Sequence, residues 1–111
     1  MSAPTKSTHT EFQQTETYKP RTTEEKMLVK ALAQAKNEEE VANFLRDLLT
    51  PNEISELANR VRIASLLLQK EHSYLDIAQI AKTSTTTVTR VAHWLFNGCG
   101  GYYTLLRRIL K

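Results

Sequence analysis

Two short apolar-periodic segments flank a three-residue break, and their spacing constrains the fold of this 111-residue chain more than any other feature. Ser73 opens the first segment, with Asp76 three residues on. This is a variant capping box, in which the hydroxyl accepts a backbone N–H that the first helical turn leaves free. Ile77, Ala78, Ile80 and Ala81 give the segment its buried face. Lys82-Thr83-Ser84 interrupts the pattern, and Thr85-Thr86-Thr87-Val88-Thr89-Arg90-Val91 begins a second helix that continues through Trp94 and Leu95. Two helices that cross steeply need a small residue where they touch, and Ala78 stands at that point, with Ala81, Val88 and Val91 closing the core. The spacing predicts a helix-turn-helix over residues 73–95.

The rest of the chain is helical by the same criteria. Thr22-Thr23-Glu24-Glu25 is a capping box, followed by Met27, Leu28, Ala31, Leu32 and Ala35 on one face. Asn37 caps Glu38-Glu39-Glu40, whose carboxylates suit the positive end of a helix, and Val41, Phe44, Leu45 and Leu48 form its stripe. Thr50-Pro51-Asn52-Glu53 combines a hydroxyl cap, a proline at the first helical position and a glutamate at the third. The helix it starts runs to about Lys70, with Leu57, Ala58, Val61, Ala64 and Leu68 on one face and Ile54, Ile63, Leu66 and Leu67 on others. Apolar residues on several sides of one helix in so small a domain predict burial by a second subunit, hence a homodimer. A last helix is expected over residues 102–110, after the turn Gly98-Cys99-Gly100-Gly101.

Charge and chemistry then point to a partner. Residues 1–50 carry 7 Lys/Arg and 8 Asp/Glu, whereas residues 51–111 carry 8 and 4, so the basic excess lies in the C-terminal half. That half is the one suited to a polyanion. Threonine is a poor helix former, so three in succession at a helix start need a reason. Short hydroxyl side chains let a helix N-terminus enter the major groove of duplex DNA, bond base edges or phosphates and touch thymine methyls. Ser84, Thr85, Thr86 and Thr87 are therefore expected to read or register bases, with Lys82, Arg60, Arg62 and Arg90 attracting phosphate. Lys82 holds a turn position usually occupied by glycine. It either accepts a left-handed backbone at roughly 1–2 kcal/mol or marks a variant turn.

From Leu49 to Arg90 the sequence resembles the tryptophan-repressor superfamily. The resemblance rests on Leu49-Thr50-Pro51-Asn52-Glu53, Asn59-Arg60-Val61-Arg62-Ile63-Ala64, Leu66-Leu67, Ile77-Ala78 and Thr86-Thr87-Val88-Thr89-Arg90, in order and without a gap. Leu95-Phe96-Asn97-Gly98-Cys99-Gly100-Gly101-Tyr102 further resembles the tail of its YerC/YecD-type subgroup. The resemblance implies an all-α fold, an intertwined dimer with two helix-turn-helix heads, and a transcription regulator, a repressor by family habit. It also implies an amino-acid pocket, in which Arg60, Arg90 and Thr50 match residues that hold or border tryptophan. Two positions alter that pocket. Val91 stands where the tryptophan repressor has the glycine that makes room for the indole, and Asp47 replaces an apolar residue before Thr50. A valine fills space and a carboxylate repels the ligand's own. These changes argue against L-tryptophan as effector and leave Arg60 and Arg90 to phosphate or to Asp47.

Other classes find little support. The three histidines, His9, His72 and His93, have no metal spacing, and Cys99 has no visible base partner, so no enzyme or metal cofactor is expected. A lone cysteine suits a reducing cytoplasm, and no run of apolar residues has the length of a membrane span. A protein–protein module would present an acidic or apolar face, and an RNA binder exposed aromatics; the proposed face is hydroxyl-rich and ends in Arg90. Residues 1–20, in which Lys6 and Lys19 are balanced by Glu11 and Glu16, are expected to be a flexible arm before a helical domain of residues 21–111.

Overall fold

A computed structural model describes residues 12–110. Among these residues all regular structure is helical: α1 Thr23–Ala33, α2 Glu38–Leu48, α3 Pro51–Gln69, α4 Tyr74–Ala81, α5 Thr85–Asn97 and α6 Gly101–Ile109. The first eleven residues of the expected arm, with Lys6 and His9, lie outside the described residues.

The helix starts are set by local chemistry. Thr22 Oγ1 accepts from the Glu25 amide at 3.0 Å, Asn37 Oδ1 from Glu40 at 2.9 Å, and Ser73 Oγ from Asp76 at 3.0 Å. Thr50 and Glu53 form a reciprocal box: the Glu53 amide donates to Thr50 Oγ1 at 3.1 Å, and the Thr50 amide to Glu53 Oε1 at 2.9 Å. At the start of α1, Glu25 accepts from the Arg21 amide and the Tyr18 hydroxyl, and these bonds hold its carboxyl below the usual range.

The chain divides into two compact units. Residues 18–58 contain α1, α2 and the first half of α3, and none of them is buried. Their apolar side chains stay open: Met27 is 66% exposed and Leu48 48%. The second unit holds residues 59–110 together with residues 12–17, and it contains the core. Ile63, Ala64 and Leu67 of α3 meet Ile77, Ala78 and Ala81 of α4, Val88, Val91, Ala92, Leu95 and Phe96 of α5, and Leu106 of α6. Ala78 is the small contact residue that the spacing required, at 4% exposure. Of the several apolar sides of α3, the one with Ile63, Ala64 and Leu67 is inside, while Leu57 and Val61 are exposed. A helix apolar on several sides carries no local signal for which side faces inward; the α4–α5 pair makes that choice.

Residues 12–17, within the stretch expected to be flexible, have no regular secondary structure but are hydrogen-bonded to the end of α5. Among the described residues no helix is long and apolar enough to cross a membrane, and no His/Cys/Asp/Glu group is placed to hold a metal ion.

Candidate nucleic-acid interface

The connection between α4 and α5 is three residues long, and its geometry follows from its ends. Lys82 is left-handed, with φ 56° and ψ 50°. The Thr83 amide reaches back to the Ala78 carbonyl at 2.9 Å and the Lys82 amide to Gln79 at 3.3 Å. This 6→1 and 5→2 pair is a Schellman motif, which satisfies the carbonyls that a helix end leaves over. Of the two turns open to Lys82 in the sequence, the left-handed one is therefore the one adopted. Beyond Thr83, Ser84 is extended and its Oγ accepts from the Thr87 amide at 3.1 Å, which starts α5.

The Asn59 side chain joins α3 to this turn. Its amide donates to the Ala81 carbonyl at 3.1 Å, at a partly buried position.

On α5, Val88, Val91, Ala92 and Leu95 turn inward. Thr85, Thr86, Thr89 and Arg90 are exposed and, with His93, line one open concavity on the outer face. None of these five side chains is acidic. The first turns of α1, α2, α3 and α4 all carry carboxylates, whereas that of α5, like that of α6, carries none. The positive end of the α5 dipole is thus uncompensated, and the nearest side chains are hydroxyls.

The remaining expected residues are placed as follows. Lys82 and Ser84 are exposed at the turn. The Ser84 and Thr87 hydroxyls lie 3.2 Å apart and serve the cap, so Thr85 and Thr86 are the hydroxyls of the first turn without that duty. Arg60 and Arg62 are exposed on α3 and do not line the α5 concavity. Arg60 lies near Tyr102 instead; burial raises the phenol's pKa and the Arg60 charge partly offsets it. Thr50 caps α3 within the other unit. Val91 is only 4% exposed, as part of the core. Two residues of the concavity, Thr89 and His93, are not among the site residues expected from the sequence. Their spacing is the signal that could have found them, since Thr89, Arg90 and His93 follow Thr85 and Thr86 at i+3 and i+4 steps.

The Trp repressor protein family matches residues 23–110. The uncharacterised protein YerC of Bacillus subtilis (strain 168) is 34% identical over 82 residues, spanning 74% of this chain and 78% of the relative. The crystal structure of a TrpR-like protein from Eubacterium eligens ATCC 27750 superposes with a TM-score of 0.70 at 34% identity, covering 80% of this chain and 91% of the other. The chain has an all-α TrpR-like fold and belongs to the Trp repressor family, in its YerC-like subgroup.

Proposed function

We propose that this protein is a sequence-specific duplex-DNA-binding transcription regulator, a repressor, that works as a homodimer. The observation that carries the reading is the outer face of α5: exposed Thr85, Thr86, Thr89 and Arg90 at a helix start free of carboxylates, backed by a buried apolar face. Membership of the Trp repressor family supports it.

In this reading α4 and α5 act as a helix-turn-helix, and the N-terminal turn of α5 enters the major groove. Thr85 and Thr86 contact base edges through hydroxyl and methyl groups. Ser84 and Thr87 hold the helix start in shape and register it on the DNA. Lys82 and Arg90 contact phosphate, which positions the protein without reading sequence; Arg60 and Arg62 add to the attraction from α3. The dimer sets two such heads about one helical turn apart. The exposed apolar residues of α1, α2 and α3, among them Met27, Leu32, Val41, Leu57 and Val61, support this second subunit, because they are the surface it would cover.

The reading has no tryptophan switch. Val91 is buried at the position where the tryptophan repressor keeps a glycine for the indole, and Asp47 adds a carboxylate beside Thr50. The test is titration of a labelled duplex from upstream of the protein's own gene, against bulk competitor DNA, with and without L-tryptophan. Competitor-resistant binding that is indifferent to tryptophan supports the reading. Binding that tightens with tryptophan restores the amino-acid pocket of Thr50, Arg60 and Arg90. Binding no tighter than to competitor DNA counts against specific recognition and in favour of a protein–protein module.

A further inference from the structure

The end of α5 lacks an ordinary cap. A helix terminus leaves its last carbonyls without partners, and here the following Gly98 has φ −97° and ψ −139°, which does not fold the chain back over them. The partners come from the far end of the chain. The Gln13 amide donates to the Phe96 carbonyl at 2.6 Å. The Thr15 hydroxyl donates to the Asn97 carbonyl. The Thr15 and Glu16 amides both donate to the Gly98 carbonyl, at 3.1 and 3.3 Å.

Side chains fasten the same segment. Phe12 and Gln14 both face Gly100. The Phe12 ring stacks on Tyr103 of α6, with centroids 4.3 Å apart and planes at 7°. The Gln14 side-chain amide lies over Gly100. Gly100 is left-handed at φ 88°, and a Cβ there would stand 3.3 Å from Phe12 Cζ and 3.4 Å from Gln14 Oε1. Gly100 thus has a reason beyond turning the chain: it leaves room at the α5–α6 corner for Phe12 and Gln14.

We propose that this corner is a docking site for the chain's own arm, and that residues 12–16 form an intramolecular latch that orders the last turn of α5. The latch ties a helix whose other end carries Thr85, Thr86 and Arg90 to a segment about eighty residues away in sequence. Drawing the arm off uncovers the Phe96, Asn97 and Gly98 carbonyls and frays the end of α5, while the α4–α5 core stays folded.

Amide hydrogen exchange on the full chain, without DNA, tests this. The Gln13, Thr15 and Glu16 amides are expected to exchange at least about tenfold more slowly than in an unstructured chain. Phe12→Ala removes the aromatic stack, and Thr15→Val removes one hydroxyl bond at nearly constant volume. Each is expected to restore fast exchange in the arm and to speed exchange over residues 95–98, with the Val91 amide unchanged as the control for an intact core. Fast arm exchange in the unaltered chain would overturn the latch. So would an arm released by either substitution with no change at the end of α5. Should Phe12→Ala unfold the chain, Thr15→Val, which keeps the stack, carries the test.

Discussion

The side-chain amide of Asn59 donates to the carbonyl of Ala81 at 3.1 Å, tying the middle of α3 to the last turn of α4 immediately before the left-handed Lys82. Ala81 is a helix-terminal carbonyl, and no continuing helix is available to satisfy it. Asn59 thereby helps to fix where α4 stops and α5 starts. Asn59→Ala leaves that carbonyl unpaired at a partly buried position and is expected to cost about 1–2 kcal/mol. Urea unfolding of the two chains measures it, and an unchanged midpoint would mean that water replaces the bond without loss.

Lys82 carries backbone strain at φ 56°. Glycine adopts this conformation freely, so Lys82→Gly is expected to raise stability by about 0.5–1 kcal/mol once the extra freedom of glycine in the unfolded chain is counted. Lys82→Ala relieves nothing, because alanine meets the same Cβ clash. On DNA both variants lose one cation, and both are expected to bind less tightly, with a shallower dependence on salt.

The glycines of the α5–α6 corner divide into two kinds. A Cβ on Gly98 would collide with the Trp94 carbonyl oxygen and lie 2.7 Å from the Trp94 ring, whereas one on Gly101 meets nothing within 4 Å. Gly98→Ala is expected to cost roughly 1–3 kcal/mol through forced backbone movement. Gly101→Ala, in the first turn of α6, is expected to gain about 0.4–1 kcal/mol by restricting the unfolded chain. Thermal unfolding of the pair checks the contrast, and equal shifts would contradict it.

The two kinds of DNA contact separate in the same way. Arg90→Ala is expected to weaken binding to all duplexes alike and to lower the slope of log affinity against log salt by about one. Thr86→Ala is expected to leave that slope alone and to relax the preference at one base-pair position by about 1–3 kcal/mol. Anisotropy titrations at graded salt, on a preferred duplex and its single-base variants, distinguish the two.

The exposed apolar residues of α3 make a prediction about assembly. Sedimentation equilibrium is expected to give twice the chain mass of 12.7 kDa. Leu57→Glu combined with Val61→Glu, at positions 39% and 43% exposed in the single chain, is expected to abolish the dimer. Loss of helicity should accompany it, because an intertwined pair is stable only as a pair. A monomeric unaltered chain would contradict the dimer.

What was legible in the sequence was chemistry that acts within a few residues. The caps at Thr22, Asn37, Thr50 and Ser73 all form as their spacing required, and Ala78, Ala81, Val88 and Val91 all lie in the core. The buried side of α3 was not legible, since apolar residues occur all round it and a helical period has no way to rank its faces. Nor was the docking of residues 12–16. It rests mainly on backbone amides, which every sequence possesses, bonded to carbonyls about eighty residues away. His93 and Thr89 fall between these cases: their spacing from Thr85 and Arg90 was readable, but only the folded α5 shows that they share one concavity.

Selection from a pool of randomised duplexes tests the central claim most directly, because it works without a known operator. A helix-turn-helix dimer of the kind proposed predicts enrichment of a two-fold-symmetric site with half-sites about one helical turn apart, and a base preference within each half-site relaxed by Thr86→Ala. A pool that remains random after repeated rounds, at low salt and with the protein folded, would contradict it.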